Sequence, residues 1–124
     1  FSEEVYYDVI RKKTAALFTA SAEAGAVAVN SSDEMVQNAR LFGEMIGIAF
    51  QIKDDIFDYF DSKEIGKPTG NDMLEGKLTL PVLYALNRAN DNQATEIALK
   101  VKEGTATLAE IARLLAFTKE NGGI

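Results

Sequence analysis

The chain has no cysteine and no histidine. The first absence removes disulfide and thiolate chemistry, and it is in keeping with the reducing cytoplasm, where we expect the protein to reside. The second removes imidazole acid–base catalysis and the usual zinc ligand sets. Long apolar runs are missing too. None reaches the ~18 residues a membrane span requires, and no secretory hydrophobic segment opens the sequence. No stretch reads as a convincing strand, and there is no repeat, linker or low-complexity tract. What remains is 124 residues, 47% hydrophobic and 26% charged, which is the composition of one modest globular domain. Phe1 at the first position, in place of methionine, points to a piece excised from a longer protein.

The net charge of −6 is unevenly placed. Between Gln51 and Glu75, seven acidic residues (Asp54, Asp55, Asp58, Asp61, Glu64, Asp72, Glu75) face only Lys53, Lys63 and Lys67, which leaves −4 of the −6 in that segment. Such a surface repels nucleic acid. Asp54, Asp55 and Asp58 stand in Phe50-Gln51-Ile52-Lys53-Asp54-Asp55-Ile56-Phe57-Asp58-Tyr59, where the apolar period is helical. Carboxylates at a helix C-terminus oppose its macrodipole. Asp54 and Asp58 are also a like-charged i,i+4 pair, unfavourable by about 0.2–0.5 kcal/mol. A sequence that carries both penalties is expected to hold a cation. Hard oxygen ligands suit Mg²⁺, with Mn²⁺ as the alternative. Lys67 and Lys77 in the following segment favour a polyanion such as diphosphate as co-ligand. A solvated acidic surface is the competing explanation, whereas the alternating ligands and central glycine of a calcium loop are not present.

The pattern predicts about five helices. Ser2 caps the first, which runs to about Asn30, with Gly25 as a possible break; its alanine-rich interior permits close helix approach. Ser31 and Glu34 match a capping box for a second helix reaching about Phe60. On that helix Leu41, Met45, Ile48, Ile52, Ile56 and Tyr59 form an apolar stripe, and Arg40, Gly43, Gly47, Phe50, Gln51, Asp54 and Asp58 lie opposite. The stripe is expected to pack, and the glycine face to line a polar-ended cavity. Residues 61–76 read as a loop punctuated by Gly66, Pro68, Gly70 and Gly76. A third helix begins near Thr79-Leu80-Pro81 and reaches about Ala89. A fourth covers Glu96 to Glu103 and ends at Gly104. A fifth follows a Thr107–Glu110 capping box and stops near Asn121.

Phe50 to Tyr59 resembles the second aspartate-rich motif of the all-trans polyprenyl diphosphate synthases. Gly66-Lys67-Pro68-Thr69-Gly70-Asn71-Asp72-Met73-Leu74-Glu75-Gly76-Lys77-Leu78-Thr79-Leu80-Pro81 is similar to the segment that follows it in that family, and Lys12-Lys13-Thr14-Ala15-Ala16-Leu17-Phe18 to the family's Lys-Thr helix. The resemblance implies an all-α, antiparallel helix bundle around a deep cavity. It implies Mg²⁺-dependent head-to-tail (1′-4) condensation of an allylic diphosphate with isopentenyl diphosphate. Carried over by position, Asp54 helps bind Mg²⁺, Asp55 and Asp58 stand in the inner or second shell, and Asp72 supports the same metal. Lys13, Lys67 and Lys77 hold the allylic diphosphate, and Thr14 and Gln51 lie near the developing cation.

The family's first aspartate-rich motif and its N-terminal isopentenyl diphosphate region have no match here. The expectation is therefore a single partial domain, 1–124, from the C-terminal half of a synthase. That piece would be inactive alone and prone to form homo-oligomers. The phrasing of the motifs leans toward a medium- or long-chain product. Two other readings compete: a non-catalytic helical regulatory or interaction subunit on the same scaffold, and a terpene cyclase or squalene-type synthase, against which the Gly66–Asp72 segment argues.

Overall fold

The computed structural model of the chain describes residues 1–60 and 69–124. Among these residues there are helices and no strand. The elements are α1 (Glu3–Ile10), a π-helical turn (Arg11–Ala15), α2 (Ala16–Ala28), α3 (Asp33–Phe57), α4 (Asn71–Leu74), α5 (Leu80–Arg88), α6 (Asn92–Glu103) and α7 (Leu108–Glu120). The run from α1 through α2 is the first expected helix. Its one irregularity is the π turn, while Gly25 lies inside α2 without breaking it. The short α4, inside the expected loop, was not anticipated.

The chain divides into two compact units, Glu4–Lys53 and Phe1–Glu3 with Asp54–Ile124, so that α3 contributes to both. In the first unit the glycine face of α3 is the packed face. A Cβ on Gly43 would lie 2.5 Å from the Phe18 carbonyl oxygen and 2.9 Å from the Ala22 Cβ; one on Gly47 would lie 2.6 Å from the Ala15 Cα. Only glycine allows so close an approach. At Gly43 and Gly47 the face is thus packed, whereas Phe50 and Asp54 on the same face are exposed. The supposed packing stripe is instead open at Leu41 and Met45, which are 57% and 63% exposed. Arg11 pairs with Asp8 and Glu44, and Arg40 with Glu23, along the rim of this contact. Exposed pairs of this kind stabilise by ~1 kcal/mol at most. The start of α3 also differs from expectation by one residue. Ser32, not Ser31, accepts the Met35 amide at 3.3 Å, so Glu34 falls in the first turn, where it complements the dipole without closing a box.

The second unit has a conventional core. Val82 and Leu86 of α5, Ala94, Ile97, Ala98 and Val101 of α6, and Ile111, Leu114 and Leu115 of α7 cluster with Tyr59 and Met73. Their spacing is that of single apolar faces on helices. α7 packs on both α5 and α6. Local signals fix the ends. Asp91 Oδ1 accepts the amides of Gln93 and Ala94, which starts α6 ahead of the expected Glu96. Gly104, at φ 76°, closes it. The Thr107–Glu110 box forms as expected, with both reciprocal bonds present.

Candidate active site

The acidic end of α3 is shaped by a change of helical pitch. After Asp55 the backbone bonds shorten to i→i−3: Asp58 N to Asp55 O, Tyr59 N to Ile56 O and Phe60 N to Phe57 O. Asp55 and Asp58 are buried, at 6% and 8% exposure, while Asp54 stays on the surface. The loop after residue 68 is stitched to this end. The Gly70 amide donates to the Asp58 carbonyl at 2.9 Å. The Asn71 amide donates to Asp58 Oδ1 and the Asp72 amide to Oδ2, both at 3.0 Å. Gly70 takes φ 76° in a buried corner, where a Cβ would come 3.2 Å from both Ile111 and Leu115. Next to it, Tyr59 is buried and its hydroxyl shares a hydrogen bond with the Thr79 hydroxyl at 2.9 Å. Burial drives the Tyr59 phenol well above its ordinary pKa.

These bonds bring Asp72 into the field of the helix-end carboxylates. Burial first, then Asp58 and Asp55, push its carboxyl up to about 6, against the opposing pull of Lys77. Lys77 extends into solvent and pairs with Glu75, Nζ to Oε2 3.1 Å. That hydrogen bond and charge hold its ammonium above the ordinary lysine value. The donor set is all oxygen, and it carries more negative charge than the local cations balance. A hard divalent ion fits that chemistry. Among the described residues no group of three or more acidic side chains is arranged to enclose an ion. Mg²⁺ itself needs no all-protein cage, because it keeps several waters and takes oxygens of a bound ligand.

In the other unit, Thr14 donates its hydroxyl to Gln51 Oε1 at 2.7 Å, thirty-seven residues along the chain. The π turn carries Arg11, Lys12, Lys13 and Thr14 together, and Lys13 is exposed. A turn of this kind interrupts the regular ladder and is frequent at functional sites. Lys67 lies outside the described residues, as do Lys63 and Glu64. The structure thus joins Asp55, Asp58, Asp72 and Lys77 in one unit and Thr14 with Gln51 in the other. Reading the sequence missed Tyr59 and Thr79 as a polar pair. It also missed the amides of Gly70, Asn71 and Asp72 as partners of Asp58, because backbone donors have no residue signature.

A family model described as polyprenyl synthetase matches residues 1–117. The chain is 38% identical over 120 residues to heptaprenyl diphosphate synthase component 2 of Geobacillus stearothermophilus, covering 96% of this chain and 36% of that one. It is 45% identical over 91 residues to a short chain isoprenyl diphosphate synthase of Methanothermobacter thermautotrophicus, covering 73% and 28%. Geranylgeranyl pyrophosphate synthase from Bacteroides thetaiotaomicron superposes with a TM-score of 0.92 at 70% identity, over 99% of this chain and 39% of that one. A polyprenyl synthase from Caulobacter crescentus CB15, complexed with calcium and isoprenyl diphosphate, gives 0.86 at 35%, over 99% and 38%. The chain therefore spans roughly a third of the length of these relatives. Their shared architecture bears out the all-helical, isoprenoid-synthase type of fold. No helix among the described residues is long and apolar enough to cross a membrane.

Proposed function

Because the chain belongs to the polyprenyl synthetase family, we propose that residues 1–124 are one partial domain of a trans-prenyltransferase that joins an allylic diphosphate to isopentenyl diphosphate head to tail. In this reaction the allylic C1–O bond breaks and its electron pair leaves with diphosphate. The isopentenyl double bond then forms the new C–C bond at C1, and a proton is lost from C2. Mg²⁺, or Mn²⁺, neutralises the departing diphosphate when bound. Asp54, exposed on α3, and Asp72, in α4, would hold the ion, and Asp55 and Asp58, both buried, support that site. The exposed Lys77 offers an ammonium to diphosphate, as Lys13 and Lys67 do on the strength of their motifs. Thr14 orients the Gln51 amide, and this pair lies beside the developing allylic cation.

One observation carries the proposal: the Asp72 amide is bonded to Asp58 Oδ2 at 3.0 Å, and burial first, then the Asp58 and Asp55 carboxylates, push the Asp72 carboxyl up to about 6. A divalent ion relieves that repulsion. The relative crystallised with calcium and isoprenyl diphosphate supports the same chemistry. The wording of the motifs favours a medium- or long-chain product, and the lack of cysteine is in keeping with cytoplasmic residence. The 124 residues alone are inactive and self-associate, the latter supported by Leu17, Phe42 and Met45 being 71%, 66% and 63% exposed. The test is calorimetry of inorganic diphosphate on the full-length synthase, with and without Mg²⁺. Binding is expected only with Mg²⁺. Asp54→Asn is expected to lower kcat/KM by about 10²–10³; unchanged turnover in that variant would sink the proposal.

A further inference from the structure

We infer that Asp58 is a positioning residue that presets the Asp72–Lys77 segment, and that it is not itself a metal ligand. This deepens the proposed function and rests on it for the roles of Asp72 and Lys77. Both carboxylate oxygens of Asp58 are already engaged, one by the Asn71 amide and one by the Asp72 amide, at 3.0 Å each. Its carbonyl takes the Gly70 amide at 2.9 Å. Three consecutive backbone donors therefore converge on one residue. The residue is 8% exposed, and its carboxylate meets the loop backbone. Asp54, four residues earlier, is on the surface.

The consequences extend along the loop. Asp58 satisfies the first amides of α4, and α4 in turn returns the Asp72 carbonyl to the Lys77 amide at 2.8 Å. Anchoring Asn71 and Asp72 thus fixes where the Asp72 carboxyl and the Lys77 stem begin. Preset donors stabilise a transition state without reorganising at the moment of reaction.

A single side-chain oxygen can take two successive amides. In the same chain, Asp91 caps α6 with Oδ1 alone, taking the Gln93 amide at 2.9 Å and the Ala94 amide at 3.0 Å. Asparagine, a good N-cap, keeps one such oxygen, while its Nδ2 only donates, and it lacks the anionic oxygen that Mg²⁺ prefers.

The experiment compares Asp58→Asn, Asp58→Ala and Asp54→Asn in the full-length synthase. Amide hydrogen exchange at residues 70–72 is read without metal. Mn²⁺ stoichiometry in the presence of inorganic diphosphate is read by electron paramagnetic resonance, and kcat and KM for the allylic diphosphate are measured. Asp58→Asn is expected to keep the Mn²⁺ stoichiometry and to retain more amide protection than Asp58→Ala. Asp58→Ala is expected to lose about five- to thirtyfold in amide protection and to raise KM, while Mn²⁺ stoichiometry stays unchanged. Asp54→Asn is expected to keep protection and lose bound Mn²⁺. If Asp58→Asn loses Mn²⁺ while its amides stay protected, Asp58 is a ligand and the inference is overturned. If the unsubstituted enzyme binds no Mn²⁺ with diphosphate, the proposed function fails, and the metal-free exchange data still decide the anchoring role.

Discussion

Replacing Gly43 or Gly47 by alanine should destabilise the protein, although alanine is the better helix former. A Cβ on Gly43 would sit 2.5 Å from the Phe18 carbonyl oxygen, about 0.9 Å inside ordinary contact. One on Gly47 would sit 2.6 Å from the Ala15 Cα, a shortfall of about 1 Å against normal carbon–carbon spacing. Both obstacles are backbone atoms, which cannot rotate aside as a flexible side chain could. Relief requires α2 to move away from α3, thinning contacts along the pair. Overpacking of this sort costs about 1–3 kcal/mol, and the helix-propensity gain of about 1 kcal/mol offsets part of it. The net expectation is a loss of up to about 2 kcal/mol at each site. Gly25 supplies the control. It lies in α2 with nothing within 4 Å of its missing Cβ, so Gly25→Ala should gain about 0.5–1 kcal/mol. Urea unfolding followed by far-UV circular dichroism separates the two signs at matched m-values. If Gly47→Ala stabilised the protein as Gly25→Ala does, the close contact of α2 and α3 would be refuted, and a cavity on that face would be the better description.

Two further expectations concern the other unit. Tyr59→Phe strands the buried Thr79 hydroxyl that now shares a 2.9 Å bond; a loss of about 1–3 kcal/mol is expected in the same unfolding assay, and a neutral result would count against the pair. Asp72 titrates near 6 when folded against 3.8 for the ordinary group, so between those pH values the native state holds the extra proton. Its contribution is favourable below about pH 4 and disappears as pH rises through 6. The amplitude is about 1–2 kcal/mol once solvent screening at a half-exposed site is allowed for. Asp72→Asn should flatten that limb of the stability–pH curve in metal-free buffer, and an unchanged slope would contradict it.

The features legible in the sequence were those with local causes. The Thr107–Glu110 box, Gly104 and the proline in the first turn of α5 each depend on neighbours within a few positions, and each appeared where expected. The first half of α3 differs from expectation for a physical reason, while Tyr59 at its end is buried as the stripe implies. Apolar residues cover most of its circumference, so the largest side chains did not identify the packed face. The glycines did, but only a partner bearing Ala15 and Ala22 reveals that they serve close approach. At the candidate site the acidic cluster at the end of α3 was readable from charge and period. The embrace of Asp58 by the amides of Asn71 and Asp72 was not, because its donors are common to every residue but proline. The π turn left no mark in composition either.

That turn allows one continuous rod to carry two phases. Tyr6, Ile10 and Ala15 are buried at steps of four and then five residues. In an unbroken 3.6-residue spiral a five-residue step would carry Ala15 well round from the line of the first two. The supernumerary residue acts as a phase adjuster that takes up the slip. Excising one position between Arg11 and Ala15 would rotate the leading segment by about 100° relative to everything after Ala16, so insertions and deletions that loops absorb silently would be felt there as torsion.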